Sequence, residues 1–256
     1  MRKNRLKTLW REGRPALSGW LSIPAPFSAE IMAHQGWDAL TVDLQHGLID
    51  YQTAVGMMTA ISTTETVPLV RIPWLEFGLI MKLLDAGAYG IICPMVNTRE
   101  DAENLVHAGR YPPAGTRSFG PVRAAIYGGP DYVENANDEI VLMAMIETEE
   151  ALDNVKEIAA VPGLDGLFIG PNDLAKSLGR APRLDTDDPV VAPAIAHIIE
   201  TARAADIACG IFTGAPDYAA QIVRQGARFV AISSDARFLA ASAADTVARF
   251  REASDA

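Results

Sequence analysis

The segment Thr41–Asp50, TVDLQHGLID, sets two carboxylates and an imidazole beside an apolar run. A buried strand has no packing reason to end in Asp43, Gln45 and His46, because a buried charge is costly unless it is paired. Read as chemistry, His46 is a candidate general base and Asp43 the group that orients it. Strict alternation puts residues 43 and 46 on opposite faces of a strand, so this dyad requires the strand to end and the chain to turn near Leu44. Arg71, in VRIPW, closes another apolar run. Its planar fork suits a carboxylate or a developing enolate oxygen; a structural salt bridge is the alternative.

Two further acids stand out, Glu147 in IETEE and Asp173 in IGPNDL. Glu149 and Glu150 fit the first turn of a helix capped by Thr148, where negative charge favours the positive helix end. Glu147 and Asp173 instead occupy matching places one strand apart. Adjacent parallel strands lie about 4.8 Å apart, close enough for both carboxylates to share one ion. Two carboxylates without cysteine or ligand-spaced histidine favour a hard cation, Mg2+ or Mn2+, with Co2+ as a further option. The other histidines, His34, His107 and His197, fall in helical stretches and are read as structural.

The elements that must position these groups are short β-branched apolar runs alternating with helical patterns. Strands are expected at 19–24, 39–45, 67–73, 90–96, 140–147, 166–171, 207–213 and 228–234. Between them lie helical patterns such as 148–161, and several others end in glycine, which suits the residue after a helix. Near-continuous apolar strands separated by helices imply a parallel sheet covered on both faces. Eight such units in 256 residues predict one α/β domain over 1–256, a closed (β/α)8 TIM barrel; an open doubly wound sheet is the competitor. No GxGxxG follows the first strand and no P-loop occurs, so dinucleotide and ATP binding have no support. In such a barrel chemistry sits at C-terminal strand ends. Those ends collect Trp20, Asp43, Gln45, His46, Arg71, Glu147, Asp173 and Phe212, and ionisable groups are rare within the strands themselves.

Leu6, Leu9 and Trp10 predict a short amphipathic helix before the first strand. Residues 111–139, rich in proline and glycine, read as a long loop. There Arg117 and Arg123 stand beside Gly115, Ser118 and Gly120, and the segment is expected to pack on another subunit. Composition excludes several partners. The net charge of −10 repels a nucleic-acid backbone. Two distant cysteines, Cys93 and Cys209, suit a reducing cytoplasm rather than a disulfide framework. No apolar run approaches the roughly 18 residues of a membrane helix, and the basic N-terminus lacks the apolar core of a secretory signal.

Taken in order, VDLQHG, VRIPW, LLDAGA, CPMV, RYPPAGTRS, IET and IGPNDL resemble the HpcH/HpaI aldolases, metal-dependent class II pyruvate aldolases. The resemblance runs from about Gly19 to the last strand. It implies a barrel of the phosphoenolpyruvate/pyruvate-binding type and cleavage of 4-hydroxy-2-oxo acids to pyruvate, or an analogue such as hydroxypyruvate, and an aldehyde. By match to its motifs, Glu147 and Asp173 would hold the metal and Arg71 the enolate. His46 and Asp43 would be the acid/base pair. Trp20, Gly170, Pro171, Asn172 and Phe212 would contact substrate, and Asp85 would reach towards a neighbouring subunit of a homo-oligomer, a hexamer. The chain departs from many members at Gln45, where they carry Glu, and at Met145, where they carry Gln. A CoA-ester lyase of the wider superfamily and a non-catalytic 2-oxo-acid binder are the other readings. The first lacks a basic cluster for CoA phosphates; the absence of a lysine at a strand end argues against Schiff-base chemistry.

Overall fold

The computed structural model describes residues 1–254. Eight strands, β1 (Ala16–Leu21), β2 (Ala39–Asp43), β3 (Val67–Arg71), β4 (Gly90–Cys93), β5 (Val141–Ile146), β6 (Gly166–Ile169), β7 (Ala208–Thr213) and β8 (Phe229–Ile232), form a closed parallel barrel in sequence order. The helices run α1 (Arg5–Arg11), α2 (Pro26–Ala33), α3 (Tyr51–Ile61), α4 (Phe77–Asp85), α5 (Arg99–Gly109), α6 (Val122–Gly128), α7 (Tyr132–Glu139), α8 (Glu149–Asp153), α9 (Val155–Ala159), α10 (Pro171–Ser177), α11 (Val191–Ala204), α12 (Pro216–Arg224) and α13 (Asp235–Ser254). The expected (β/α)8 TIM barrel is therefore the fold. Strand residues are buried on both faces, as a sheet enclosed by helices requires.

The barrel interior is filled. Trp10, Phe229, Phe168, Trp20 and Phe212 form a chain of ring contacts with centroids 5.3–6.4 Å apart, running from α1 below to the ends of β1 and β7 above. Gly210 makes this packing possible: a Cβ there would lie 2.8 Å from both Phe168 and Phe229. The amphipathic helix expected at the N-terminus is α1, with Leu6, Leu9 and Trp10 buried. It closes the barrel floor. The Asn4 side chain donates to the carbonyls of Tyr89 and Glu139, and Trp10 Nε1 donates to that of Arg228, the residues that enter β4, the β5 approach and β8.

Most strands stop short of the sequence expectation, β4 at Cys93 rather than residue 96 for example, and three differences go further. β1 begins at Ala16 rather than residue 19, because Ser18 is tolerated inside: its hydroxyl reaches the Gly19 carbonyl and the Thr41 hydroxyl at 3.0 and 3.3 Å. The pattern over 148–161 breaks into α8 and α9 at Asn154, whose amide donates to the Asn97 carbonyl. Residues 111–139 are not one loop but carry α6 and α7; their prolines and glycines mark helix ends, with Pro121 preceding α6 and Gly129, at φ +106°, ending it. Among the described residues, no helix is long and apolar enough to cross a membrane.

Candidate active site

Parallel pairing sets Asp43 directly opposite Arg71 at the ends of β2 and β3, and the two form a bidentate ion pair. Arg71 Nε donates to Asp43 Oδ1 at 2.9 Å and Nη2 to Oδ2 at 2.5 Å. Trp20 Nε1 donates to Oδ2 at 3.1 Å, and the backbone N–H groups of Gln45 and His46 donate to Oδ1 at 3.0 and 3.2 Å. Burial alone would push the Asp43 carboxyl up; the hydrogen bonds and charge of Arg71, with help from Trp20 and the His46 N–H, outweigh it and lower its pKa. Asp43 stays ionised and orients Arg71. The guanidinium also lies over the Trp20 ring, 4.9 Å from its centroid, and Nη1 has no partner among the described residues, which frees it for a ligand.

This arrangement corrects the expected dyad. The chain does turn after β2, but Asp43 meets only the His46 backbone, not its imidazole. The His46 side chain is exposed and lines the same pocket as Asp43 and Arg71. It is free to face a ligand, and nothing in Asp43 orients it. Gln45, which stands where many relatives in the resemblance carry Glu, buries its Oε1 without a hydrogen-bond partner.

Glu147 follows β5 directly and is 2% exposed. Its Oε1 accepts the Met95 N–H at 2.8 Å; Met95 holds φ +55° at the exit of β4 to present that N–H. Burial raises the Glu147 carboxyl to about 7; Met95 opposes this, the Asp173 charge adds to it, and Arg71 opposes it weakly. A buried carboxylate with one weak neutraliser and an anionic neighbour is suited to a cation. Asp173 sits in the first turn of α10, exposed and close enough to act on Glu147. No group of three histidines, cysteines or acids is arranged around one point among the described residues. Two carboxylates fit a hard divalent ion whose remaining places go to substrate oxygens and water, the usual manner of Mg2+.

Gly170, between β6 and α10, is required by this geometry. A Cβ there would lie 2.6 Å from Glu147 Oε2 and 2.7 Å from Met145 Cε. Gly170→Ala is expected to displace the carboxylate and weaken Mn2+ affinity about 10–100-fold, the range for changes that reorient a ligand. Calorimetric titration of the metal-free protein with Mn2+ measures this.

These residues enclose a cavity of about 260 Å3 at the C-terminal end of the barrel, lined also by Pro171, Asn172, Phe212, Ser22, Leu184 and Arg237. Trp20, Asp43, His46, Arg71, Gly170, Pro171, Asn172, Asp173 and Phe212 therefore meet at one place, and Glu147 lies against Gly170. No lysine lines the cavity. His34, His107 and His197 are exposed on outer helices. Missed from the sequence were Arg237 and the Met95 N–H. Reading the residues after β8 as those after the other strands were read would have found Arg237; Met95 has no side-chain signal.

The expected interface residues turn inward. Arg117 Nη2 donates to Asp85 Oδ1 at 2.7 Å, and the arginine is buried against Tyr132. Arg123 donates to the Ala86 carbonyl and the Ser62 hydroxyl at 2.7 and 3.0 Å. Asp85, Arg117 and Arg123 thus tie α4 and α3 to the 111–139 segment of their own chain. The outward residues of that segment are apolar: Phe119, Val122 and Ile126.

The family model described as HpcH/HpaI aldolase/citrate lyase matches residues 18–242. The chain belongs to that family. A hydroxypyruvate/pyruvate aldolase from Rhizorhabdus wittichii is 46% identical, over 97% of this chain and 99% of its own length. A 4-hydroxy-2-oxovalerate aldolase from Novosphingobium aromaticivorans is 40% identical, over 97% and 95%. A solved HpcH/HpaI aldolase/citrate lyase family protein from Burkholderia cenocepacia superimposes with a TM-score of 0.91 at 34% identity, covering 97% of this chain and 100% of that one. In this HpcH/HpaI member the motifs VDLQHG, VRIPW and IGPNDL supply Asp43, His46, Arg71, Gly170, Pro171, Asn172 and Asp173 to the cavity lining.

Proposed function

We propose that this chain is a divalent-metal-dependent pyruvate aldolase, a carbon–carbon lyase that reversibly cleaves 4-hydroxy-2-oxo acids to pyruvate, or a close analogue such as hydroxypyruvate, and an aldehyde. The observation that carries this reading is an oriented guanidinium in a small cavity whose wall at Gly170 is backed by the buried, underneutralised Glu147 carboxylate. Glu147 and Asp173 would hold Mg2+ or Mn2+, which when bound supplies Lewis-acid polarisation of the 2-oxo group. Arg71, locked by Asp43, places fixed positive charge where the enolate oxygen develops. Trp20, Phe168 and Phe212 wall the cavity with apolar surface and exclude water from the donor. In cleavage His46 takes the proton of the C4 hydroxyl. The C3–C4 bond breaks, its electron pair passes into the enolate, C4 leaves as the aldehyde carbon, and C3 then takes a proton to give the methyl group of pyruvate.

His46→Ala is expected to slow cleavage by about 10²–10⁴-fold, the usual worth of a positioned general base. A rate close to wild type in this variant would assign the proton transfer to another group. At about 260 Å3 the cavity lies just below the roughly 300–1,000 Å3 of drug-sized ligand pockets, so it favours a short acid over a CoA ester. Pyruvate release from a 4-hydroxy-2-oxo acid separates the aldolase from a non-catalytic binder, which would retain metal and Arg71 without turnover.

A homo-oligomer is part of this reading. α13 is a helix of 20 residues along which Asp235 alone is buried, and it exposes Phe238, Leu239, Val247 and Phe250. Phe119, Val122 and Ile126 are exposed as well, and exposed apolar faces are the kind of surface that marks an interaction site. The support for assembly therefore comes from these apolar faces rather than from Asp85, Arg117 and Arg123. Sedimentation at assay concentration is expected to find an oligomer, with a hexamer the state implied by the family resemblance; a fully active monomer would contradict it.

A further inference from the structure

Arg71 is not the sole guanidinium at the cavity. Arg237, in the first turn of α13, lines it as well. Among the described residues its guanidinium makes no hydrogen bond and no ion pair, while its backbone N–H donates to the Ser234 hydroxyl at 3.4 Å. Its backbone is nonetheless fixed. The neighbouring Asp235 is 5% exposed and accepts from the N–H groups of Ser22 and Ile23 at 2.9 and 3.2 Å and from the hydroxyls of Ser22 and Ser28, both at 3.1 Å. That clasp joins the start of α13 to the loop after β1 and presents Arg237 at the cavity mouth.

Barrel order gives its place relative to the donor site. β8, which leads into α13, lies three strands from β3 in one direction and three from β5 in the other. In the aldolase reading Arg71 at the end of β3 would face the enolate and Glu147 after β5 would hold the cation, which leaves Arg237 to the part of the substrate that projects away from them. The carboxylates at and behind the cavity already have roles: Asp43 is paired with Arg71, while Glu147 and Asp173 would hold the cation. What remains is a positioned, unpaired guanidinium in a chain of net charge −10, where an anionic ligand otherwise meets repulsion.

We infer that Arg237 is a specificity-determining residue that binds an anionic group, a carboxylate or a phosphate ester, on the aldehyde portion of the substrate. This rests on the aldolase reading above. Guanidinium recognises either anion through paired N–H donors, and selection acts on the partner aldehyde rather than on the enolate chemistry.

The test is aldol addition of pyruvate by the full-length, Mn2+-loaded protein, with succinic semialdehyde set against butanal and glyceraldehyde 3-phosphate against glyceraldehyde. Wild type is expected to favour the charged member of at least one pair, with the preference shrinking as salt rises. In Arg237→Gln the charged-to-neutral ratio of kcat/KM is expected to fall about tenfold, mostly through KM; this is the low end for a charged hydrogen bond because the site is open to solvent. Arg237→Lys should retain part of the preference. Whichever pair responds identifies the anion. Ratios in Arg237→Gln equal to wild type for both pairs would overturn the assignment. Failure of wild type to form any adduct would instead contradict the aldolase reading itself.

Discussion

Glu147→Ala is expected to remove measurable metal-dependent cleavage while the barrel stays folded. The loss should exceed the roughly 10–100-fold that changes around a metal ligand cost, because Glu147 is itself the buried donor and Asp173 alone is exposed. The same carboxyl sets a pH dependence. Burial raises it from 4.5 to about 7, so in the metal-free protein a proton competes with the cation, and Mn2+ affinity should fall as pH drops through about 7. Linkage gives the sign for stability. Relative to the unfolded chain, the raised group contributes stability that is fully present below 4.5 and lost as pH rises through about 7. At alkaline pH the metal-free protein holds an ionised carboxylate in an apolar setting. Glu147→Gln should therefore melt no lower than wild type there without metal, yet gain nothing when Mn2+ is added. Thermal melts with and without metal on either side of neutrality measure both. A metal-induced rise in melting temperature that survives Glu147→Gln would move the cation elsewhere.

Arg71→Lys is expected to cost about 10²–10³ in kcat for exchange of the pyruvate methyl protons, as loss of one preorganised donor typically does. Lysine keeps the charge but cannot bind both Asp43 oxygens and still offer Nη1 to the enolate. Asp43→Asn should produce a smaller loss of the same kind, since it leaves the guanidinium in place but unfastened. Proton exchange monitored by NMR isolates this step from any aldehyde. Near-full exchange in Arg71→Lys would transfer the enolate role to another group.

Much of this was legible in the sequence because barrel strands carry a strong signal. Doubly buried runs such as VPLVR and VLMAMI have no polar alternation to mislead, and every expected strand overlaps an observed one. Polar residues at their ends then mark the site, so Arg71, Glu147 and Asp173 could be found without coordinates. Pairing was harder. Asp43 and His46 are neighbours in sequence, but the partner of Asp43 is fixed by register with β3, a long-range property that local spacing does not carry. The arginines of the 111–139 segment misled for a related reason: a long cationic side chain reads as surface, whereas Arg117 is buried on Asp85 and Tyr132. In the same segment helix-terminal prolines and glycines hid two short helices. The Met95 N–H could not be read at all, because a backbone donor leaves no mark in side-chain type.

The central claim is tested most directly by pyruvate release from a 4-hydroxy-2-oxo acid, followed on protein stripped of metal and again after Mn2+ or Mg2+ is returned. No release is expected from the stripped protein and full release on reconstitution. Undiminished release after exhaustive chelation would contradict the metal-dependent aldolase assigned to Glu147, Asp173 and Arg71.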